Sequence, residues 1–404
     1  MAGANHEFDL IARIRARAGT RDDVLLGIGD DAAILRVPAG HDLVVSTDTL
    51  NIGVHFPADT APSDIGWKAL AVNLSDLAAM GARPAWCTLN LCLPEPASKW
   101  LDAFLDGFLE LAVQHDVALV GGDTTRGPLS ITVTVHGFVP HGAALLRSGA
   151  QVGDDVWVSG TLGDAAAGLA LLSPSPIGVS GCADEPSVRA SANATAPGAM
   201  AGVREGVRGN AERGLARFAP HLNHTPALAL GARALIDPRA SGSPPDRFAP
   251  TGEEDQQLRT RLDRPTPRVE LGLALRGIAS ACIDVSDGLL ADLGHVLAAS
   301  DVGAEVDVAT LPASPALMAA FDETSRIPMQ LGGGDDYELC FTASPALAEE
   351  VIAAAASADV EVRRIGRIEA QAGLRLRDDD GSVRDVSPIG YRHFDASRDE
   401  GGCA

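Results

Sequence analysis

Two hydrophobic periods alternate along most of this chain. Asp42 to Leu50 (DLVVSTDTL) is a β-branched run and predicts a strand. In Ser63–Met80 the apolar residues Ile65, Ala69, Leu70, Val72, Leu77 and Met80 fall at helical spacing. Ser63 is a candidate N-cap, and Gly81 and Pro84 stop the run. Leu101 to Gln114 predicts a second helix with Phe104, Leu105, Phe108 and Leu109 on its apolar face. Val117 to Val120 reads as a short buried strand leading into Gly121-Gly122-Asp123, and Ile131 to Val139 as a half-buried strand alternating Thr and Val. Regular structure resumes at Gln257, with a strand at Ala281–Val285, a helix at Asp287–Ser300 and a strand at Ala304–Val308. Short strands follow around residues 363–365 and 374–376. Interleaved strands and helices restrict the fold to α/β or α+β, and 404 residues suffice for two or three domains.

Residues 173 to about 255 break the pattern. Ala, Gly, Pro and Ser dominate, no period is sustained, and Pro186–Gly252 holds eight arginines against Glu205, Glu212, Asp237 and Asp246. Such a stretch cannot bury enough apolar surface to offset its ordering entropy, so it reads as a mobile, net basic insertion. His221 and His224 have an HxxH spacing with no acidic partner nearby. Asp378-Asp379-Asp380-Gly381 lacks the alternate acids and distal Glu of a calcium loop and predicts a hairpin turn.

The chain carries 32 basic and 54 acidic side chains, a formal net charge of −22. That sign excludes a phosphate-backbone footprint for nucleic acid. Among the basic residues only Lys68 and Lys99 are lysines, and neither lies in a Gly-rich loop, so a GxxxxGK[ST] motif is absent. Neither lysine looks placed for Schiff-base chemistry. The cysteines at 87, 92, 182, 282, 340 and 403 show no CxxC pair and read as small buried hydrophobes. With no basic-then-apolar leader and no run near 18 apolar residues, a cytoplasmic protein with no membrane partner is expected.

Aspartates recur beside glycines, at what the pattern makes strand ends and helix starts: Gly29-Asp30-Asp31, Ser46-Thr47-Asp48, Ser75-Asp76, Gly122-Asp123, Asp284-Val285-Ser286-Asp287-Gly288 and Gly334-Asp335-Asp336. Singly, each is a turn or a cap. Gathered, such carboxylates repel one another by about 1 kcal/mol per pair at 4 Å even in water, and cations would stabilise them. Hard oxygen donors, hydroxyls included, suit Mg²⁺. Gly121-Gly122 and Gly332-Gly333-Gly334 let backbone N–H groups approach an anion, Gly160-Thr161-Leu162-Gly163-Asp164 precedes an Ala-rich helix whose N-terminus could do the same, and Arg147 could grip a phosphate.

GIGDDAAIL (27–35), VSTDTL (45–50), NLSDLAAMGA (73–82), VGGDTTRGPL (120–129), LLRSGAQVGD (145–154), IDVSDGLLADLGH (283–295) and GGGDDYELCF (332–341) resemble the thiamine-monophosphate kinase family. That family shares a superfamily with aminoimidazole ribonucleotide synthetases, selenophosphate synthetases and a hydrogenase-maturation protein. The resemblance runs from about Phe8 to Phe394 and is interrupted by the insertion. It implies a two-domain α/β fold, with an ATP- and Mg-binding domain over 1–147 and a C-terminal α/β domain over 148–404. It also implies ATP as co-substrate, several Mg²⁺ ions, thiamine monophosphate as acceptor and a homodimer. Residue by residue it assigns Mg²⁺ to Asp31, Ser46, Thr47, Asp48, Asp76, Asp123, Asp284 and Asp287, and ATP to Gly122, Asp123, Arg147 and Ser286. The acceptor falls to His55, Asp335 and Tyr391, and Asp335 stands where the family usually has Glu.

The implied reaction is phosphoryl transfer between two anions. A phosphate acceptor with a second pKa near ~6 is already deprotonated at neutral pH, so no general base or covalent nucleophile is expected and direct in-line transfer follows. The rivals are another ATP-dependent reaction on the same fold and a non-catalytic nucleotide- or metal-binding protein. Selenophosphate synthesis would call for a reactive Cys near the N-terminus, and the first here is Cys87.

Overall fold

A computed structural model describes residues 7–172, 252–387 and 390. The strands are β1 (Val24–Leu26), β2 (Ile34–Leu35), β3 (His41–Asn51), β4 (Arg83–Leu93), β5 (Ala118–Arg126), β6 (Ser130–Pro140), β7 (Asp155–Ser159), β8 (Ala281–Asp284), β9 (Gly303–Asp307), β10 (Leu339–Ala343), β11 (Val362–Glu369), β12 (Gly373–Arg377) and β13 (Val383–Val386). The helices are α1 (Glu7–Arg17), α2 (Pro62–Ala79), α3 (Ser98–Gln114), α4 (Asp164–Leu172), α5 (Gly252–Asp263), α6 (Val269–Ala274), α7 (Leu289–Ser300), α8 (Pro315–Ala320), α9 (Glu323–Gly332) and α10 (Ala348–Ser357). The fold is the expected α/β type, built around two sheets.

The first sheet runs β3-β6-β4-β5 and the second β13-β12-β9-β11-β7-β10-β8. Both are antiparallel except for the pairs β4–β5 and β9–β12. A hairpin of β1 and β2 packs Val24, Ala33 and Leu35 on Ala85, Trp86, Ala118, Val120 and Phe138 of the first sheet. Helix α2 joins the two halves: it touches α3, β3, β4 and β6 on one side and α6 and β8 on the other. That double contact explains its composition, since residues on all its faces are buried, from Ile65 and Leu70 to Asn73 and Ser75.

Several local expectations need correcting. Ser63 does not cap α2. Pro62 occupies the first turn, where its missing N–H costs nothing, and Ala61 stands at the cap without a side-chain bond. The short strand expected over 117–120 is longer, since β5 runs on through Gly121-Gly122-Asp123 to Arg126. Gly122, at φ +146°, lies so close to β4 that a Cβ would collide with Leu89 O. The boundary near 255 moves back, since α5 begins at Gly252 with Glu253, Glu254 and Asp255 in its acidic first turn. The Asp378–Gly381 turn is the expected hairpin, joining β12 to β13 with Gly381 at φ +81°. His221, His224, Cys182, Cys403 and Tyr391 lie outside the described residues. Cys87, Cys92, Cys282 and Cys340 are free thiols, and all but the half-buried Cys92 are buried. Among the described residues no helix is long and apolar enough to cross a membrane.

Helices α2 and α3 meet through glycines. A Cβ on Gly66 would overlap Phe104 O, and one on Gly107 would overlap Ser63 O. Gly107→Ala is therefore expected to push the helices apart and to destabilise the protein by about 1–3 kcal/mol. A lowered urea midpoint at unchanged slope would register it.

Candidate active site

Edge strand β3 and helix α2 supply the first half of the site. Alternation along β3 turns Ser46 and Asp48 toward α2 and Thr47 toward the open face. The Ser46 hydroxyl donates to Asp76 Oδ2 at 2.5 Å, and Asn73 Oδ1 accepts from the Asp48 N–H at 3.0 Å. Thr47 Oγ1 instead meets Thr134 Oγ1 at 3.0 Å across the strand pair and donates to Val133 O. Its hydroxyl therefore does not converge with the carboxylates.

The second half comes from the end of β8 and the turn into α7. Asp284 is buried, and its Oδ2 accepts from the Ser75 hydroxyl of α2 at 2.7 Å. Asp292, in the first turn of α7, takes the N–H groups of Ser286, Asp287 and Gly288 on one oxygen at 3.0, 3.0 and 3.1 Å. This fixes the Asp284–Gly288 turn, with Gly288 at φ +115°. Sequence inspection passed over Asp292, whose signal was an acid in the first turn of a helix directly after a Gly-containing loop.

These groups perturb one another's ionisation. Asp48 keeps solvent access in the single chain, yet partial desolvation, with Asp76 and Asp287 nearby, pushes its carboxyl up to about 6. Burial raises Asp76 as well, against the Ser46 hydrogen bond and the Arg147 guanidinium that pull it down. Asp284 is driven to about 8 by burial and then by Asp76, and Asp292 to about 7 by burial and Asp287. Ser46, Asp48, Asp76, Asp284, Asp287 and Arg147 thus form one neighbourhood drawn from both halves of the chain. Its clustered carboxylates and oxygen donors fit a hard divalent cation. Among the described residues no three His, Cys, Asp or Glu side chains close into a ready-made cage.

A second group adjoins the first. The Asp335 N–H donates to Ser286 O at 2.9 Å, and the Tyr337 N–H to Val285 O at 2.8 Å, so this segment lies along the Asp284–Ser286 strand end. Asp335 Oδ1 accepts from the Tyr337 hydroxyl at 3.0 Å, and Oδ2 lies 3.2 Å from Lys68 Nζ. The same ammonium donates to His55 O at 3.1 Å, and His55 Nδ1 accepts from the Asn51 N–H at 3.0 Å. Lys68, a lysine with no evident role in the sequence, thereby joins two residues assigned to the acceptor.

Other assigned residues stand apart. Asp31 is exposed in the β1–β2 connection, where its N–H takes Asp30 Oδ1. Asp123 and Gly122 lie on β5, at the opposite edge of the sheet from Asp48, about three strand spacings or ~14 Å away. Asp336 sits on the far side of its own segment, buried, and accepts the N–H groups of Gly163 at 2.7 Å and Ala165 at 3.3 Å. The N-terminus of α4, a candidate anion site by sequence, is thus filled by a side chain of the same chain. Gly334 is likewise spoken for, since a Cβ there would collide with Ser286 O.

Residues 29–139 match the family model for the AIR synthase related protein N-terminal domain, and residues 242–379 that for its C-terminal domain. The thiamine-monophosphate kinase of Salmonella typhimurium is 41% identical, over 96% of this chain and 98% of its own length. The crystal structure of thiamine-monophosphate kinase from Stenotrophomonas maltophilia K279a is 47% identical with a TM-score of 0.70, covering 94% of this chain and 98% of that one. The complex of AaThiL with AMPPCP and TMP is 27% identical with a TM-score of 0.62, covering 96% of this chain and 97% of that one. The chain belongs to the thiamine-monophosphate kinase family of AIR synthase-related proteins.

Proposed function

We propose that this chain transfers the γ-phosphoryl group of ATP to the phosphate of thiamine monophosphate, giving ADP and thiamine diphosphate. The observation that carries the reading is the meeting of a carboxylate cluster from both halves of the chain with the Lys68–Asp335–His55 group beside it. Relatives of this name align over nearly the whole chain, and one is a complex with AMPPCP and TMP. Incubation with ATP, Mg²⁺ and thiamine monophosphate is expected to yield thiamine diphosphate and ADP in equal amounts; ATP consumed without thiamine diphosphate would overturn the reading.

Mg²⁺ would be held by Asp48, Asp76, Asp284 and Asp287, with Ser46 adding a hydroxyl oxygen. Bound there, it would offset the charge of the donor and acceptor phosphates. The chain's own residues then have a positioning task. Arg147 lies close enough to Asp76 to act on its charge, and it is read as the contact to a donor phosphate. Ser286 stands on the turn that Asp292 fixes, and Asp335 and His55 border the acceptor side. Because the acceptor oxygen needs no base, transfer is read as direct and in line, without a phosphoenzyme. A protein labelled by ATP and able to pass its label on would refute that step.

The reading includes a homodimer. Asp123 and Gly122 are assigned to metal and ATP, yet β5 and β3 are the two free edges of one sheet. Two such sheets closed edge to edge would set β5 of one copy beside β3 of the other. Leu43 and Val45 on β3, 45% and 52% exposed, offer the apolar surface for that contact. Val45→Asp is expected to give a monomer with little activity, as read by light scattering and turnover. Residues 1–147 are read as the ATP and Mg²⁺ domain and 148–404 as the second domain, since the first sheet ends at Pro140 and the second begins at Asp155. A cytoplasmic location suits the free thiols.

A further inference from the structure

We propose that Lys68 is the positioning residue for the phosphate acceptor, its ammonium clamping the Asp335 carboxylate and the His55 carbonyl into one fixed recognition surface. The inference rests on the function proposed above. Lys68 is only 2% exposed, and a buried ammonium persists only when its donors are engaged. Two of the three are, one on His55 O at 3.1 Å and one on Asp335 Oδ2 at 3.2 Å. Asp335 is held at both oxygens, because Tyr337 donates to Oδ1 at 3.0 Å. Held in this way, the carboxylate cannot rotate.

The backbone gives a second, independent sign. Asp335 and Tyr337 both adopt left-handed φ angles, +69° and +51°, which non-glycine residues keep only where surrounding contacts impose them. Lys68 supplies one of those contacts from a helix 267 residues earlier. Ser75 and Asp76 lie about two helical turns further along the same face of α2, so the helix sets the acceptor group and the carboxylate cluster at a fixed spacing of about 12 Å. The positive charge also offsets Asp335 beside a site that must admit a phosphate.

The test is steady-state kinetics of Lys68→Met and Lys68→Arg in both substrates, with thermal unfolding as the folding control. In Lys68→Met the KM for thiamine monophosphate is expected to rise about tenfold or more, the KM for ATP to stay within about twofold and kcat to fall by no more than about threefold. Lys68→Arg, which keeps the charge, is expected to recover most of the acceptor KM. An equal rise in both KM values, a fall in kcat alone or an unchanged acceptor KM would overturn the proposal. Should Lys68→Met not fold, Lys68→Gln, whose amide can still donate to the His55 carbonyl while losing the charge opposite Asp335, keeps the helix face filled and must raise the acceptor KM selectively. A wild-type protein that forms no thiamine diphosphate overturns both readings, whereas an active one with an unselective Lys68 variant overturns this one alone.

Discussion

Asp284→Asn is expected to lower turnover by about a hundred- to a thousandfold and, in the same protein, to raise the melting temperature of the ligand-free form. Both effects have one cause. The Asp284 carboxyl is buried beside Asp76, Asp292 and Asp48, which lifts it to about 8 in the folded chain. In the unfolded chain it titrates near ~3.9. Below that value the group is protonated in both states and costs nothing. As pH rises from there toward about 8, the unfolded chain ionises while the folded chain retains its proton, so stability falls with pH. Asparagine removes that slope while its amide oxygen can still accept from Ser75. The stability gain should therefore vanish near pH 4 and be largest at pH 8 and above, in melting curves recorded across that range. A variant less stable than the parent at pH 8 would show that the carboxylate is structural. The arrangement exchanges stability for charge that cations and phosphates then offset.

Much of the site was legible in the sequence because its carboxylates travel in short local motifs. Asp48 with Ser46, Asp76 with Asn73 and Ser75, and Asp284 with Asp287 each sit in a few residues of distinctive chemistry, and α/β alternation placed them on strand ends and helices. What joins these motifs was not legible. Lys68 looked idle because both of its partners lie elsewhere, one of them 267 residues away, and no local period encodes that distance. Thr47, between Ser46 and Asp48, carries the same kind of oxygen as Ser46. Only the two-residue period of the strand sends it to the other face.

Adjacent acids show the limit most sharply. Asp335 and Asp336 follow the same run of glycines, and only the family resemblance, not residue type or spacing, separates them. The left-handed turn at Asp335 sends its carboxylate to Lys68 and Tyr337. Asp336 goes instead into the N-terminus of α4, where backbone N–H groups await an acceptor. Gly122 and Asp123 are a third case. By sequence Gly122 opens backbone N–H groups to an anion, but it is required because β4 leaves no room for a side chain. The edge-strand position that results is what makes a second copy part of the functional reading.

The largest loss of stability is expected from Glu338→Gln. Glu338 is fully buried at the start of β10, one residue beyond Tyr337, and it anchors the segment that carries Asp335. Arg268 donates to both of its oxygens at 2.6 Å, Arg261 to Oε1 at 2.7 Å and the Ser159 hydroxyl to Oε2 at 2.6 Å. Burial alone would raise this carboxyl, but Arg268 and Arg261 outweigh it and hold the group below the ordinary carboxylate range. Gln is isosteric yet neutral, and its amide nitrogen would point a donor at one of two largely buried guanidiniums. Breaking a buried pair by removing one charge costs about 3–5 kcal/mol, read as a lower urea midpoint. The pH dependence supplies a second check. Because the folded carboxyl titrates below its unfolded value, the wild type holds this contribution above the unfolded pKa and loses it as pH falls through the folded one. The gap between wild type and variant must therefore narrow as the pH is taken down into the acid range. A gap that stayed constant there would assign the loss to packing around residue 338 rather than to its charge.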